Sequence, residues 1–161
     1  MRKKCLNVEK VTDRELKNFE EMLFTMRHFA GIGLAAPQLG IARNLIVADI
    51  GEGAIQLANP VILKAKGSDK MEEGCLSIPG IAVYIERPYE IIISGLNEKG
   101  QAVEIKATGL LARVLQHEID HLKGRLIIDY LNLLEKFKLR LNKKLVINSG
   151  SGSRNAGKNT F

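Results

Sequence analysis

The sequence predicts an α+β fold: a mostly antiparallel sheet packed around a central metal-binding helix, with one further helix near each end. Three observations carry this. Five short β-branched runs follow one another between residues 44 and 106, broken by Gly, Asn and Pro. Helix-period stripes lie before and after that block rather than between successive strands, which argues against a repeating βαβ unit. Asn97-Glu98-Lys99-Gly100 separates the last two runs as a hairpin turn, so those neighbours run antiparallel.

In chain order, Thr12-Asp13-Arg14-Glu15 is a capping-box start, since a Thr hydroxyl and a Glu carboxylate three residues on can satisfy helix-end donors. A helix follows to about Phe29. Leu16, Phe19, Met22, Leu23 and Met26 form its core stripe, and Gly31 suits the position just past its end. His28 reads as a dipole partner or surface residue. The strand runs are Leu45–Ile50, Ile55–Leu63, Ile81–Ile85, Glu90–Ser94 and Ala102–Ile105. A second helix spans about Gly109 to Leu122, with Gly124 as its stop. Leu126–Leu131 resembles an extended segment, and Asn132 to Val146 an amphipathic third helix. Residues 149–161 have too little apolar content to pack and read as a disordered polar tail, leaving 1–148 as one domain.

Composition narrows the function classes. With 161 residues, 45% of them hydrophobic, the chain can bury one sizeable core. No apolar run approaches the roughly 20 residues that span a bilayer, so a membrane partner is not expected and the chain reads as soluble and intracellular. Cys5 and Cys75 lie far apart and do not suggest a disulfide scaffold; Cys5 reads as a small semi-buried residue. The net charge of +6 is C-terminal in origin. Residues 1–135 balance to −1, whereas 136–161 hold seven Lys and Arg and no acid. That segment could attract a polyanion such as RNA, or be an ordinary solvated face.

The chemistry concentrates in Gln116-His117-Glu118-Ile119-Asp120-His121. On a helix, residues four apart are neighbours, so two imidazoles can reach one ion while Glu118 faces a water beside it. Such a pair supplies two ligands, and a catalytic site wants a third from elsewhere. Leu110, Val114, His117 and His121 share one face, which would give the site an apolar wall. Two other segments stand out. Gly31-Ile32-Gly33-Leu34-Ala35-Ala36-Pro37-Gln38 combines glycines, small residues and one amide, allowing close approach of backbone and substrate. Glu73-Gly74-Cys75-Leu76-Ser77 presents a thiol that could act as ligand or nucleophile.

Together and in this order, GIGLAAPQ, EGCLS and QHEIDH resemble the three signature motifs of the peptide deformylase family, over about Arg2 to Leu134. The resemblance implies that Cys75 joins His117 and His121 as metal ligands. The ion would be Fe2+ in the cell, with Zn2+, Ni2+ or Co2+ accepted. It implies hydrolysis of the N-formyl group from nascent polypeptides that begin with formylmethionine. Glu118 would take a proton from an activated water and pass it to the departing amine, while the Gln38 amide and the Leu76 N–H receive the oxyanion. The peptide would add as a strand along Ile32 and Gly33, with Ile32, Leu110 and Val114 around the methionine side chain. The basic segment 136–161 would suit docking to the ribosome, and a bacterial cytoplasm or an organellar matrix would be the setting.

Against the family pattern the chain opens directly at Met1-Arg2-Lys3-Lys4-Cys5, N-terminally short, which leads to an expectation of an exposed edge or apolar surface. Ala82 stands where some members carry an arginine that contacts the peptide. Arg87 is present, with Glu73 as a plausible ion-pair partner serving as scaffolding. The rival functions are an HExxH metallopeptidase and an inactive, ribosome-binding deformylase-like module.

Overall fold

The computed structural model describes residues 2 and 5–150, with side chains to 141. It divides into one compact unit through Ile127 and a second from Ile128. The first holds α1 (Asp13–His28), β1 (Gly33–Ala35), a 3-10 turn (Ala36–Leu39), β2 (Leu45–Ala48), β3 (Ile55–Lys66), β4 (Asp69–Gly74), β5 (Ala82–Arg87), β6 (Glu90–Leu96), β7 (Ala102–Thr108) and α2 (Gly109–Leu122). A single 3-10 turn, Ile127–Tyr130, leads to α3 (Leu133–Gly150).

Every strand pair is antiparallel. A five-stranded sheet has the order β1-β2-β3-β6-β7, and β4 pairs with β5 in a separate two-stranded sheet. The short strand β2 explains how the layers assemble, because its side chains alternate between faces and all four are buried. Ile46 and Ala48 join Leu57, Ile91 and Ile93 in a cluster with Leu115 and Ile119 of α2. Leu45 and Val47 point the other way, into Phe19, Met22 and Met26 of α1. The sheet is thus sandwiched between α1 and α2. Each fully buried Phe, Leu, Ile or Met contributes about 1.5–3 kcal/mol. The 97–100 hairpin forms as expected: Gly100 N–H donates to the Asn97 carbonyl at 2.9 Å, and Asn97 Oδ1 accepts from Lys99 and Gln101.

Several expectations are corrected. Leu16 is exposed rather than in the core stripe, and Glu15 is the buried residue beside it. The Glu15 carboxylate accepts from the Thr12 N–H at 3.1 Å and meets the Thr12 hydroxyl, so the start signal turns the acid inward and Leu16 outward. At the other end of α1 the left-handed residue is Ala30, at φ 51°, not Gly31. Gly31 donates to the Met26 carbonyl at 2.8 Å, and a methyl on it would stand 2.9 Å from Leu76 Cδ1. A side chain at Gly31 would have to displace the exposed end of Leu76, while the small Ala30 takes the left-handed conformation at a cost of about 1–2 kcal/mol.

Leu126–Leu131 contains a 3-10 turn instead of an extended segment, since a run this short carries no period that separates the two. The third helix continues to Gly150, past the expected end at Val146. Its start is a reciprocal cap: Asn132 Oδ1 accepts from Glu135 N–H at 2.9 Å, and Glu135 accepts from Asn132 N–H at 2.8 Å. Of the expected polar tail, residues 151–161 lie outside the described residues. Met1, Lys3 and Lys4 lie outside them too; next to them Cys5 is buried and Leu6 makes one parallel bridge to Arg43. Both cysteines are free. Among the described residues no helix is long and apolar enough to cross a membrane.

Candidate active site

Helix α2 is buried nearly all round, yet its sequence carries Arg113, Gln116, Glu118, Asp120 and His121 inside. A helix with that many enclosed polar groups must give most of them partners, and those partners, with the atoms left without one, define the site. Gly124, at φ 72°, stops it as expected, and Arg125 N–H returns to the Asp120 carbonyl at 2.8 Å.

The third ligand candidate arrives from the two-stranded sheet. Gly74 ends β4, and Cys75 begins the connection back to β5, with Ile78 N–H on its carbonyl at 2.9 Å. Cys75 Sγ lies 3.2 Å from His121 Nε2, which lies 3.1 Å from His117 Nε2. The three donor atoms fall within 4.8 Å of one another. Among the described residues no other group of His, Cys, Asp and Glu converges in this way. One thiol and two ring nitrogens gathered this closely suit a divalent cation of intermediate softness. Glu118 adds a second sign: its Oε2 is buried with no hydrogen-bond partner. The donor set therefore fits a metal, with Glu118 beside it and not among the ligands.

Electrostatics within the protein groups agree. Burial alone would raise the Cys75 thiol, but hydrogen bonds with His117 and His121 and the nearby imidazolium charge hold it near about 5. Burial would lower His117; its contacts with Cys75 and Glu73, and the Glu118 charge, raise it to about 10. Glu118 goes up to about 7, chiefly by burial, against the opposing pull of His117 and His121. A carboxylate near neutrality can both accept and return a proton.

These residues open on a cavity of about 770 Å³ between the β1 segment, the end of β4 and α2. Ile32, Gly33, Gln38, Leu76, Leu110 and Val114 all line it, together with Cys75, His117 and Glu118. The structure thus brings to one place every site residue expected from the sequence, with His121 buried just behind. Gln38 is fixed by two bonds: its Oε1 accepts from Ala35 N–H at 2.7 Å, and its Nε2 donates to Ser77 Oγ at 3.0 Å. That leaves one amide hydrogen. On β1, Asp49 N–H already takes the Ile32 carbonyl at 2.9 Å, and Gly33 stands opposite Ala48. In that register the Gly33 N–H and C=O face away from β2, toward the open edge of the sheet.

Sequence reasoning found the Glu73–Arg87 pair but treated it as scaffolding, and missed what it is attached to. Glu73 Oε2 lies 2.9 Å from His117 Nδ1, so the carboxylate fixes that ring. Arg87 grips the same carboxylate at 2.6 and 2.9 Å and reaches Asp120 of α2 at 2.9 Å. Arg113 donates to Glu73 Oε1 at 2.7 Å. Burial would raise Glu73, yet the bonds from His117 and Arg87 outweigh it and hold the acid near about 2. The available signal was Arg113, four residues before His117 and the one charge within the otherwise apolar run Leu110–Leu115. Ala82 pairs with Gly74 across the base of the Cys75 turn, and its side chain is exposed.

Comparison with known proteins points the same way. A sequence model of the family described as polypeptide deformylase matches residues 1–137. The peptide deformylase of Alkaliphilus metalliredigens is 50% identical over 129 residues, covering 80% of this chain and 88% of that protein. The Hydrogenovibrio crunogenus peptide deformylase is 46% identical over 139 residues, covering 84% and 82%. Among solved structures, the Legionella pneumophila peptide deformylase matches with a TM-score of 0.84 and 35% identity, over 94% of this chain and 92% of that one. The Synechococcus elongatus peptide deformylase, in complex with actinonin, matches with a TM-score of 0.82 and 42% identity, over 89% and 79%. With its signature residues converging in one cavity and its relatives sharing sequence and fold over most of their length, the chain belongs to the polypeptide deformylase family.

Proposed function

We propose that this deformylase removes the formyl group from nascent polypeptides beginning with formylmethionine through Cys75, His117, His121 and Glu118, within a catalytic domain of residues 1–148. Water adds to the formyl carbon, the C–N bond breaks, and formate and a free amine result. Cys75, His117 and His121 hold one divalent cation, Fe2+ in the cell, with Zn2+, Ni2+ and Co2+ accommodated by the same donors. When bound, that cation supplies Lewis-acid chemistry, acidifying water and polarising the formyl oxygen.

The chain's own groups do the rest. Glu118 accepts the water proton at Oε2 and delivers it to the amine nitrogen as the C–N bond breaks. The remaining Gln38 Nε2 hydrogen and the Leu76 N–H donate to the carbonyl oxygen as it becomes an oxyanion, at about 3–4 kcal/mol each. Gly33 offers its outward N–H and C=O to the peptide as an added strand, beside Ile32. Ile32, Leu110 and Val114 surround the methionine side chain. The meeting of these residues on one cavity, with His121 just behind it, supports their roles, and the observation that carries the reading is the buried Glu118 carboxylate beside three convergent soft and borderline donors.

The test is formate release from formyl-Met-Ala-Ser, run beside cleavage of an unformylated peptide. Formate with no internal cleavage is expected; internal cleavage without formate would make the chain a metallopeptidase instead. Docking of the basic segment 136–161 to the ribosome belongs to the same reading, supported by the absence of any acid after Glu135. Ribosome binding that weakens with salt and is lost on deleting 136–161 is expected, and salt-insensitive binding would overturn it.

A further inference from the structure

The three donors come from two separate pieces of structure. His117 and His121 ride on α2, whereas Cys75 sits at the tip of the β4–β5 sheet, which shares no strand pairing with the main sheet. Something must fix one piece against the other to within a fraction of an ångström. Arg113 is placed to do it. It lies on α2 one turn before His117, is buried, and its guanidinium takes hold of the two-stranded sheet at three points. Nη2 donates to the Asp69 carbonyl at the start of β4 at 2.7 Å, with Asp69 Oδ2 at 3.4 Å. Nη1 donates to the Ile85 carbonyl of β5 at 2.9 Å and to Glu73 Oε1 at 2.7 Å. Glu73 is two residues before Cys75, and its other oxygen holds His117 Nδ1.

We infer that Arg113 is a positioning residue that sets the spacing of the Cys75 thiolate from the two imidazoles, and thereby the affinity of the site for its metal. The inference rests on Cys75, His117 and His121 being the ligands. A planar fork suits the task, because one rigid group spans backbone carbonyls of two strands and a carboxylate; an ammonium at the same place reaches fewer of them.

Charge and geometry make opposite demands here, which gives a decisive measurement. Removing a buried cation near the donors would by Coulomb attraction alone tighten the binding of a second cation. Loosening the spacing would weaken it. The probe is Co(II) alone, added to metal-stripped wild type, Arg113→Met and Arg113→Lys, with affinity from competition against a chromophoric chelator and the visible spectrum of the loaded protein. Arg113→Met should bind Co(II) about 10- to 100-fold more weakly, with altered thiolate and ligand-field bands. Arg113→Lys, which keeps the charge and secures a folded protein, should fall between. On formyl-Met-Ala-Ser at saturating Co(II), kcat should drop more than KM rises. Unchanged or tighter binding with a wild-type spectrum in either variant, or loss confined to KM or to Tm, would overturn the inference. Failure of the ligand assignment looks different: wild type would then take up no stoichiometric Co(II), or Cys75→Ala would leave the spectrum unaltered.

Discussion

Gly33 sits against the catalytic carboxylate, and adding one methyl group there should separate catalysis from metal binding. An alanine Cβ at this position would stand 2.7 Å from Val114 Cγ1 and 3.1 Å from Glu118 Cδ, and closer still to Glu118 Oε1. Ordinary contact begins at 3.4 Å, so the neighbours must give by roughly 0.7 Å or more. Overpacking of this kind costs about 1–3 kcal/mol, which for a chain of this size lowers Tm by roughly 2–12 °C. The larger effect is on rate, because a displacement of about 1 Å in a positioned group can lower turnover about 100-fold. Gly33→Ala should therefore retain one equivalent of metal, unfold a few degrees earlier, and release formate about 100-fold more slowly. Adding Val114→Ala removes one of the two collisions. Stability should then fall by less than the sum of the single changes, while the rate stays low because the contact with Glu118 remains. Formate release by Gly33→Ala within threefold of wild type, or recovery of the rate in the double variant, would refute the steric reading.

Three further outcomes are expected. Cys75→Ala should lose metal after mild chelation and with it activity, checked by metal analysis of the purified protein; full metal retention would contradict its place among the ligands. With His117 near about 10 and Cys75 near about 5, the stripped protein at pH 7 holds an imidazolium beside a thiolate, so metal uptake should release at least about one proton. Calorimetry in two buffers of different ionisation enthalpy reads this, and buffer-independent heats would contradict it. Burial would raise Glu15, but bonds from the Thr12 hydroxyl and backbone and the Arg43 charge lower it overall. Its folded pKa is depressed, so its contribution is present above about pH 4.5 and disappears as pH falls through the lowered value. Glu15→Gln should be less stable than wild type by about 1 kcal/mol in urea at pH 7. The gap should narrow below pH 4; a gap constant down to pH 3 would contradict the assignment.

How much of this was legible in the sequence depended on whether an element declares itself locally. α2 was read to its end residues because its stripe, its stop at Gly124 and its ligand pair all lie within one stretch. β2, β3, β5, β6 and β7 were visible as β-branched runs. β1 was not, since three residues of Gly, Leu and Ala carry no strand signal, and they show as a strand only through their pairing with β2, with Leu34 and Ala35 buried. β4 was missed because Asp69–Gly74 is polar and acidic, with Glu73 its only buried residue, so no hydrophobic alternation marks it. The site divided in the same way. His117, Glu118 and His121 follow from spacing, whereas Cys75 lies more than 40 residues away and was tied to them only through the family resemblance. The arginine clamp around Glu73 joins β4, β5 and α2, and no local pattern predicts a contact of that kind.

The claim that Glu118 moves the proton at a site held by Cys75, His117 and His121 meets its most direct test in one comparison. Wild type and Glu118→Ala are each loaded with a full equivalent of metal under anaerobic conditions, and formate release from formyl-Met-Ala-Ser is measured on both. Equal metal content with a rate lower by several orders of magnitude in Glu118→Ala is expected. Turnover by Glu118→Ala within tenfold of wild type at equal metal content would contradict it.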